Sequence, residues 1–426
     1  MVDWNAYPLD FLCEFTNGYA FKSTDYVARS HETYEVFRMG YIERGGGYKE
    51  DSSPVFVPRA YPRDLNKFLL RTDDVVIAMT DMKDRVAILG NTARIVHDNR
   101  FVLNQRVGLI RVKRSDLLNA RFFYLYSNWN PYVEFLRSRA NSGVQVNLTT
   151  SAIKESLITI PPLAEQEAIA AILGSLDDKI DCNRRMNETL EAMARAIFKD
   201  WFVDFGPTRA KMDGRAPYLA QEIWDLFPDS LDDEGKPAGW QISTIGEEVD
   251  VVGGSTPSTK EPEFWDGEIN WATPKDMSSL NFPVLLDTTR KITAAGLAKI
   301  SSGLLPAGTV LLSSRAPIGY IAISEIPLAI NQGFIAMCCN KRISNVYAWL
   351  WTLENMDSIL QKANGSTFLE ISKSNFRPLS VLVPSDSIRS FSFSTLKSFF
   401  DRIASNEVES RTLAQTRDLL LPKLMS

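Results

Sequence analysis

The pattern of apolar and polar positions divides the chain into strand-like and helix-like segments. Short apolar or alternating runs bounded by turn residues predict strands: VVIAM, VAILG and VGLIRV in the first part, and TVLLSS, YIAIS and FIAMCC in the second. The segments ARFFYLYSNWNPYVEFLRS and NVYAWLWTLENMDSILQKA have apolar residues at helical spacing and predict amphipathic helices. We expect their rings to lie in the core rather than to stack on bases. The chain is therefore predicted to be α+β.

A much longer helical pattern follows Pro161-Pro162 and continues without another proline to about Phe202. A proline pair ends a strand and is compatible with the start of a helix. At 1.5 Å per residue this helix would be roughly 60 Å long, which exceeds the needs of a small domain and suggests a spacer. Apolar residues along it are spaced alternately by three and four, which is typical of a coiled-coil seam. The seam positions are Leu173, Leu176, Ile180, Asn183, Leu190 and Ile197.

The chain also repeats itself, in order, at an offset that decreases from about 236 to 223 residues. The matching positions are Trp4 with Trp240 and Gly18 with Gly254 at 236, Asn104-Gln105 with Asn331-Gln332 at 227, and residues 148–161 with 371–384 at 223. Two copies of one domain with loops of different length would produce this series, whereas chance matches would not keep their order.

The long helix has a counterpart at the end of the chain. An offset of 223 gives a second seam with members Leu396, Phe399, Ile403, Asn406, Leu413 and Leu420. We predict that the two helices pair antiparallel in a pseudo-two-fold arrangement, with Leu173, Leu176 and Ile180 opposite Leu396, Phe399 and Ile403. Asn183 and Asn406 occupy equivalent seam positions, where a polar residue lowers stability but fixes register. Alternatively, each asparagine faces solvent where the seam frays.

These patterns predict five segments. They are a first domain at 1–160, a central helix at 161–203, a linker rich in Pro, Gly and Asp at 204–238 with a short helix around Gln221–Phe227, a second domain at 239–384, and a C-terminal helix at 385–426.

The net charge of −5 is unevenly distributed. Acidic residues are concentrated in the middle, whereas Lys83–Arg114 has eight basic and two acidic residues, and Arg290–Arg342 has six basic and one acidic. Either window could contact nucleic acid or form a solvated basic face.

A search for catalytic chemistry finds no candidate shared by both copies. The only histidines, His31 and His97, lie in the first copy, and the sequence has neither a CxxC pair nor a GxxxxGK(S/T) phosphate loop. We therefore predict no catalytic residue and no metal site. The sparse cysteines favour a reducing cytoplasm. No signal peptide is evident, and the longest uncharged run, Ile326–Asn340, is too short to span a membrane.

Both copies share polar, glycine-containing loops suited to DNA. Asn and Gln can bond adenine edges, Arg and Lys can bond guanine or phosphate, and Gly permits close approach. Alternatively, these residues have only a structural role and cap turns. The candidates are Lys83, Arg85, Asn104, Gln105, Arg106, Asn141, Gly143 and Gln145 in the first copy, and Lys275, Arg315, Asn331, Gln332, Asn364, Gly365, Ser366, Thr367 and Lys373 in the second.

Taken together, these features resemble the specificity subunit of Type I restriction–modification enzymes. The resemblance rests on PPLAEQEAI opening a long helix, on IDCNRRMNETLEAMARAIFKDWFVDF, on the strands ITIPPL and VLVP, on the Asn-Gly/Ser loops and on the tandem layout. It implies two target-recognition domains that each read half of a bipartite site in double-stranded DNA, with the paired helices setting the half-site spacing.

The same resemblance implies the partners. Two methyltransferase subunits would dock and supply S-adenosylmethionine binding and adenine methylation, and restriction/translocase subunits would use ATP and Mg. The chain itself would hold no cofactor and catalyse nothing.

The second copy departs from the family pattern, since Ile388-Arg389 replace Glu165-Gln166 of the PPL-x-EQ run. If that run docks a partner, the two docking surfaces are unequal. The second copy is also slightly acidic, so useful DNA affinity is expected only in the complex. A duplicated protein-binding scaffold and a hydrolase are the alternative functions.

Overall fold

The computed structural model describes residues 4–51, 53–82, 86–142, 145–278, 280–365 and 369–425. The contacts divide the chain into two compact units. Unit 1 comprises Met1–Ile180 with Thr412–Ser426, and unit 2 comprises Asp181–Arg411.

Within its described residues, unit 1 combines short strands with four short α-helices and the beginning of a long one. Its strands are β1 Asn5–Pro8, β2 Cys13–Asn17, β3 Thr33–Phe37, β4 Phe56–Pro58, β5 Val75–Ala78, β6 Thr80–Met82, β7 Thr92–Arg94, β8 Phe101–Leu103, β9 Val107–Val112, β10 Asn141–Ser142, β11 Gln145–Asn147 and β12 Leu157–Ile160. Its helices are α1 Leu9–Leu12, α2 Ala120–Ser127, α3 Asn130–Ser138, α4 Thr150–Lys154 and the first part of α5 Leu163–Phe202.

Strand β5 shows how the apolar pattern forms two cores in unit 1. It lies inside the four-stranded sheet β2-β9-β5-β7. Its residues Val75 and Ile77 pack with the helices α2 and α3, whereas Val76 and Ala78 pack with the sheet β4-β3-β8. Successive side chains of a strand point to opposite faces, so a continuous apolar run is buried on both sides.

Unit 2 repeats this plan. Its strands are β13 Gln241–Thr244, β14 Asp250–Val252, β15 Trp265–Ala272, β16 Val284–Leu285, β17 Arg290–Ile292, β18 Val310–Ser314, β19 Ile318–Ser324, β20 Ala329–Ile330, β21 Phe334–Cys338 and β22 Ser380–Val383. Its helices are α6 Gly206–Met212, α7 Gln221–Trp224, α8 Ile245–Glu248, α9 Pro274–Met277, α10 Ala294–Leu297, α11 Asn345–Glu354, α12 Met356–Gln361, α13 Lys373–Phe376 and α14 Asp386–Leu424, the last of which ends in unit 1.

The sheets of the two units correspond. In unit 1, β3 pairs antiparallel with β4 and parallel with β8; in unit 2, β15 pairs antiparallel with β17 and parallel with β20. The strand entering each unit pairs antiparallel with the strand preceding its long helix, β1 with β12 and β13 with β22. The predicted α+β class with tandem duplicated domains is therefore confirmed.

Most predicted elements are present, with three differences. VAILG, residues 86–90, is a loop and not a strand, whereas its counterpart YIAIS lies in β19. Each aromatic-rich segment forms two helices, since α2 ends at Ser127 ahead of α3, and α11 ends at Glu354 with Asn355 between it and α12. The predicted linker contains α6 in addition to α7 Gln221–Trp224, which is shorter than the helix expected around Gln221–Phe227, and Phe227 joins the core of unit 2. The five segment boundaries remain a prediction.

Candidate nucleic-acid interface and the paired helices

In unit 1, main-chain hydrogen bonds at Met79 bring two of the predicted DNA-binding loops together. The Met79 N–H donates to the Arg106 carbonyl at 3.2 Å, and the Met79 carbonyl accepts from the Leu148 N–H at 2.9 Å. The loop 104–106 and the hairpin β10-β11 are therefore anchored on either side of one residue, next to β6.

Unit 2 has the same junction at Ser314. Its N–H donates to the Gly333 carbonyl at 2.8 Å, and its carbonyl accepts from the Ile371 N–H at 3.0 Å. Relative to unit 1, the three residues are displaced by 235, 227 and 223 positions. We call each arrangement the anchor junction. It explains why the sequence offset changes, since the extra residues lie in the loops between its three points.

A glycine completes each anchor junction. The residue after Gly18, Tyr19, donates its N–H to the Leu103 carbonyl at 2.9 Å, and the residue after Gly254, Ser255, donates to Ile330 at 3.1 Å. A Cβ on Gly18 would lie 1.9 Å from the Asn104 carbonyl oxygen, and one on Gly254 would lie 1.9 Å from that of Ile330. Only glycine allows this close approach of two backbones.

The described candidates of unit 1 lie around its anchor junction. Gln105 and Arg106 are exposed, and Asn104 is half-buried in the turn between β8 and β9. Asn141 and Gln145 belong to β10 and β11, and Gln145 pairs with Met82 of β6. Lys83, Arg85 and Gly143 lie outside the described residues.

Sequence reasoning missed Asp81, which shapes this part of unit 1. One carboxylate oxygen accepts hydrogen bonds from the N–H groups of Ala87 and Ile88 at 2.7 Å and of Leu89 at 3.2 Å. It thereby holds the backbone of residues 87–89 against β6. An aspartate just after an apolar strand and before a loop is a common turn signal.

The candidates of unit 2 surround the other anchor junction, and the side chains of three of them have partners within the unit. The Asn331 side-chain oxygen accepts from the Gly333 N–H at 2.8 Å, and the Gln332 oxygen accepts from the Thr256 hydroxyl at 2.5 Å. For Asn331 this is the turn-capping alternative. Arg315 forms an ion pair with Glu370 at 3.8 Å.

The remaining candidates of unit 2 are on its surface. Lys275 on α9 and Lys373 on α13 are exposed. Asn364 forms two main-chain hydrogen bonds with Glu370, and Gly365 has a φ of +131°, which favours glycine. Ser366 and Thr367 lie outside the described residues. The assignment of these candidates to DNA contact remains a prediction.

Within unit 2, α5 and α14 pair antiparallel through a ladder of asparagines. Asn406 donates to the Asn187 side-chain oxygen at 2.7 Å, and Asn187 donates to Glu407 at 2.9 Å. Asn183 donates to Glu409 at 2.9 Å and to Ser410 at 3.3 Å. We call these residues the asparagine ladder. Asn183, Asn187 and Asn406 are buried, so the alternative that the asparagines of the seam face solvent is wrong.

The predicted facing pairs along the seam are also wrong. In unit 2, Leu190 packs with Ile403, and Ile197 lies in the same core as Leu396 and Phe399. In unit 1, Leu173 lies in the same core as Leu420, and Arg417 pairs with Asp177 at 2.9 Å. An antiparallel pair matches rising numbers with falling ones, so residues equivalent by the repeat meet only near the centre of the pairing, where the Asn183 side chain donates to the Asn406 carbonyl at 3.4 Å. The other seam members Leu176, Ile180 and Leu413 are half-buried.

Burial raises the pKa of the Glu407 carboxyl, although the hydrogen bond from Asn187 and the charge of Arg411 lower it. A carboxyl with a raised folded-state pKa destabilises the fold while it is ionised, and the penalty disappears as pH falls through that pKa.

We expect Glu407→Gln to raise the melting temperature at neutral pH and to lose this advantage under acidic conditions. Glutamine keeps an oxygen for Asn187 and removes the buried charge. Thermal unfolding of both chains from pH 4 to 8 measures the effect. Glu188→Gln, at an exposed site of α5, is the control. An equal effect of Glu407→Gln at all pH values would show that its charge is unimportant.

Gln166 of the PPL-x-EQ run fastens the start of α5 to unit 1. It is fully buried; its oxygen accepts from the Asn119 N–H at 2.9 Å, and its nitrogen donates to the carbonyls of Leu117 and Pro161 at 2.8 Å. In the second copy, Arg389 instead pairs with Asp386 of its own helix at 2.8 Å. The glutamine therefore has an internal structural role and presents no side-chain surface to a partner.

Among the described residues there is neither a cluster suited to a metal ion nor a helix suited to a membrane. Over the described ranges, no three His, Cys, Asp or Glu side chains are grouped so that they could hold a metal ion. Likewise, no helix formed by these residues combines the length and apolar character that crossing a membrane requires.

Comparison with known proteins identifies the family. The "Type I restriction modification DNA specificity domain" family matches residues 1–192 and 237–414, which is most of the chain and both copies. The chain belongs to this family. Accordingly, it is a DNA-recognition subunit of the Type I restriction–modification class.

Individual members of the Type I specificity family support the assignment. The HindI specificity subunit of Haemophilus influenzae is 24% identical over 387 residues, covering 79% of this chain and 84% of that protein. The MjaIX specificity subunit of Methanocaldococcus jannaschii is 35% identical over 186 residues, or 43% of each chain. The crystal structure of the S subunit from M. genitalium has the same fold, with a TM-score of 0.59 at 16% identity over 99% of this chain and 96% of that one.

Proposed function

We propose that each domain of this Type I specificity chain reads one half of a bipartite site in double-stranded DNA. The observation that carries the proposal is the duplicated anchor junction, which displays two polar loops at equivalent places in both units. Two readers on one chain suit a split site. The main-chain anchoring leaves the exposed side chains of Gln105 and Arg106 available for base contacts in unit 1, whereas Asn331 and Gln332 of unit 2 also accept hydrogen bonds within their own unit.

In this proposal the paired helices α5 and α14 fix the separation of the half-sites and dock two methyltransferase subunits. The asparagine ladder supports a fixed separation, because buried polar pairs penalise other registers. The chain has no catalytic role. S-adenosylmethionine binds to the methyltransferase subunits, and ATP and Mg bind to the restriction/translocase subunits. The complex works in the cytoplasm, where its DNA is.

The test is a domain exchange. The chain is produced with the methyltransferase subunit of its own system, and methylated adenines are mapped in the host genome. Replacement of residues 1–160 by the corresponding domain of another family member is expected to change one half of a split methylated sequence and to leave the other half intact.

Replacement of residues 239–384 is the matched control and should change the opposite half. A methylated sequence that neither exchange alters would contradict the proposal and favour a scaffold that does not read DNA.

A further inference from the structure

We propose that Arg290 and Arg63, neither of which is among the DNA-binding candidates listed from the sequence, are the arginines through which the two domains bind DNA. The inference rests on the proposed function and adds to it the residues and the chemistry of the contact. In each domain, an exposed guanidinium lies over aromatic rings beside the anchor junction.

In unit 2, two tryptophans order Arg290. Its guanidinium carbon lies 3.6 Å from the ring centre of Trp265 and 5.3 Å from that of Trp271. The two indoles are perpendicular, with centres 5.0 Å apart. Their N–H groups donate to the Ser258 carbonyl at 3.0 Å and the Ser255 carbonyl at 3.3 Å, so both rings are fixed.

This ring pair adjoins the predicted DNA-binding loop. Arg290 on β17 is opposite Trp271 on β15, and Trp271 is opposite Ala329 on β20. One residue further along, the Asn331 N–H donates to the Ala272 carbonyl at 3.1 Å. Arg290 is therefore in the same sheet as β20, level with Ala329, and the Asn331-Gln332 loop begins at the end of that strand.

Unit 1 has a comparable arrangement built from different residues. The Arg63 guanidinium carbon lies 5.2 Å from the ring centre of Tyr19, the residue that follows Gly18 in the anchor junction. Tyr19 is itself packed against Phe21, Tyr61 and Phe68. Arg63 is not the counterpart of Arg290 in the strand pairing. In unit 2, Arg290 is opposite Trp271, whereas at the equivalent place in unit 1 the Val55 carbonyl accepts the Val36 N–H. The two domains therefore place an arginine over an aromatic ring with residues that are not equivalent in the repeat.

Both guanidiniums remain available for a ligand. Arg63 and Arg290 are exposed, and among the described residues neither has an ion pair or a side-chain hydrogen bond. An arginine ordered by a ring loses little conformational freedom when it binds. Its free edge presents parallel N–H donors that fit a pair of acceptor oxygens or nitrogens, as on guanine O6 and N7 or on a phosphate.

The experiment compares variants of the full chain in complex with its methyltransferase subunit. Arg290→Ala and Arg63→Ala are each expected to reduce methylation about tenfold or more, each through a different half of the site. If the acceptor is guanine, one base position in that half relaxes, and Arg→Lys behaves like Ala because the planar fork is lost.

If the acceptor is phosphate, the methylated sequence stays the same, Arg→Lys retains most activity, and the salt dependence of duplex binding decreases by about one charge. Both results support the DNA contact and distinguish its source.

Arg114→Ala is the matched control. Arg114 also lies over a ring, that of Phe11 at 5.1 Å, but its guanidinium is bonded to Asp116 at 2.8 and 2.7 Å. Variants of Arg63 and Arg290 that behave like Arg114→Ala in methylation and salt dependence would overturn the inference. If the wild-type complex itself methylated no split sequence, the proposed function would be contradicted, and this inference with it.

Discussion

Gly254→Ala is expected to destabilise unit 2 by about 3 kcal/mol and to abolish recognition of one half-site. The added Cβ would lie 1.9 Å from the Ile330 carbonyl oxygen, which accepts the Ser255 N–H. The two atoms nearest to the added Cβ are the backbone carbonyl oxygen and carbon of Ile330, so strand β20 has to move. The Asn331-Gln332 loop moves with it. Thermal unfolding, hydrogen exchange of the Ser255 and Asn331 amides, and the methylated sequence all measure the change.

Gly303→Ala is the control for Gly254→Ala in the same unit. Gly303 has a φ of +65°, but nothing lies within 4 Å of its added Cβ. Its substitution costs only the left-handed backbone strain, about 1 kcal/mol, and leaves the loop in place. If Gly254→Ala had no larger effect than Gly303→Ala, the anchor junction would not depend on close backbone contact.

The second large effect concerns the asparagine ladder, where Asn406→Leu is expected to cost about 1–3 kcal/mol. The substitution leaves the Asn187 oxygen buried without its donor, and an unsatisfied buried polar group costs roughly this amount. The double variant Asn187→Leu/Asn406→Leu removes both partners of this bond but also the hydrogen bond from Asn187 to Glu407, so we expect its loss of stability to be smaller than the sum of the two single losses. An apolar seam no longer penalises other registers, so methylated sites with more than one spacer length are expected.

Denaturant unfolding of the single and double variants gives the coupling energy between the two asparagines, and genome-wide methylation mapping gives the spacer lengths. Ser405→Leu, at the exposed neighbouring position, controls for the added apolar side chain. Additive losses of stability in the double variant, together with a single spacer length, would contradict a register role for the asparagine ladder.

Much of the fold could be predicted from the sequence because it depends on periodicity and duplication. The apolar run of β5 and the three-four spacing in α5 are local signals with one structural solution. VAILG is not a strand because the Asp81 side chain, and not a neighbouring strand, accepts hydrogen bonds from the N–H groups of Ala87 and Ile88, and a local pattern does not reveal such a cap. Helix register was misjudged because equivalence by repeat was taken for spatial opposition.

The candidate interface was less predictable. The repeated Asn-Gln pair marks the anchor junction correctly, yet Asn331 caps its own turn there. Arg290 was missed because its environment comes from Trp265 and Trp271, which precede it by some 20 residues and meet it only through strand pairing. Contacts of this kind depend on tertiary structure and leave no short-range signature.

The anchor junction has a consequence for how the protein can change. All its hydrogen bonds join main-chain groups, so apart from a glycine they place no demand on the identity of the residues they connect. Mutation is therefore free to lengthen, shorten or rewrite the intervening loops without dismantling the frame. A chain built in this way can acquire a new target sequence in one half while the other half keeps its old one.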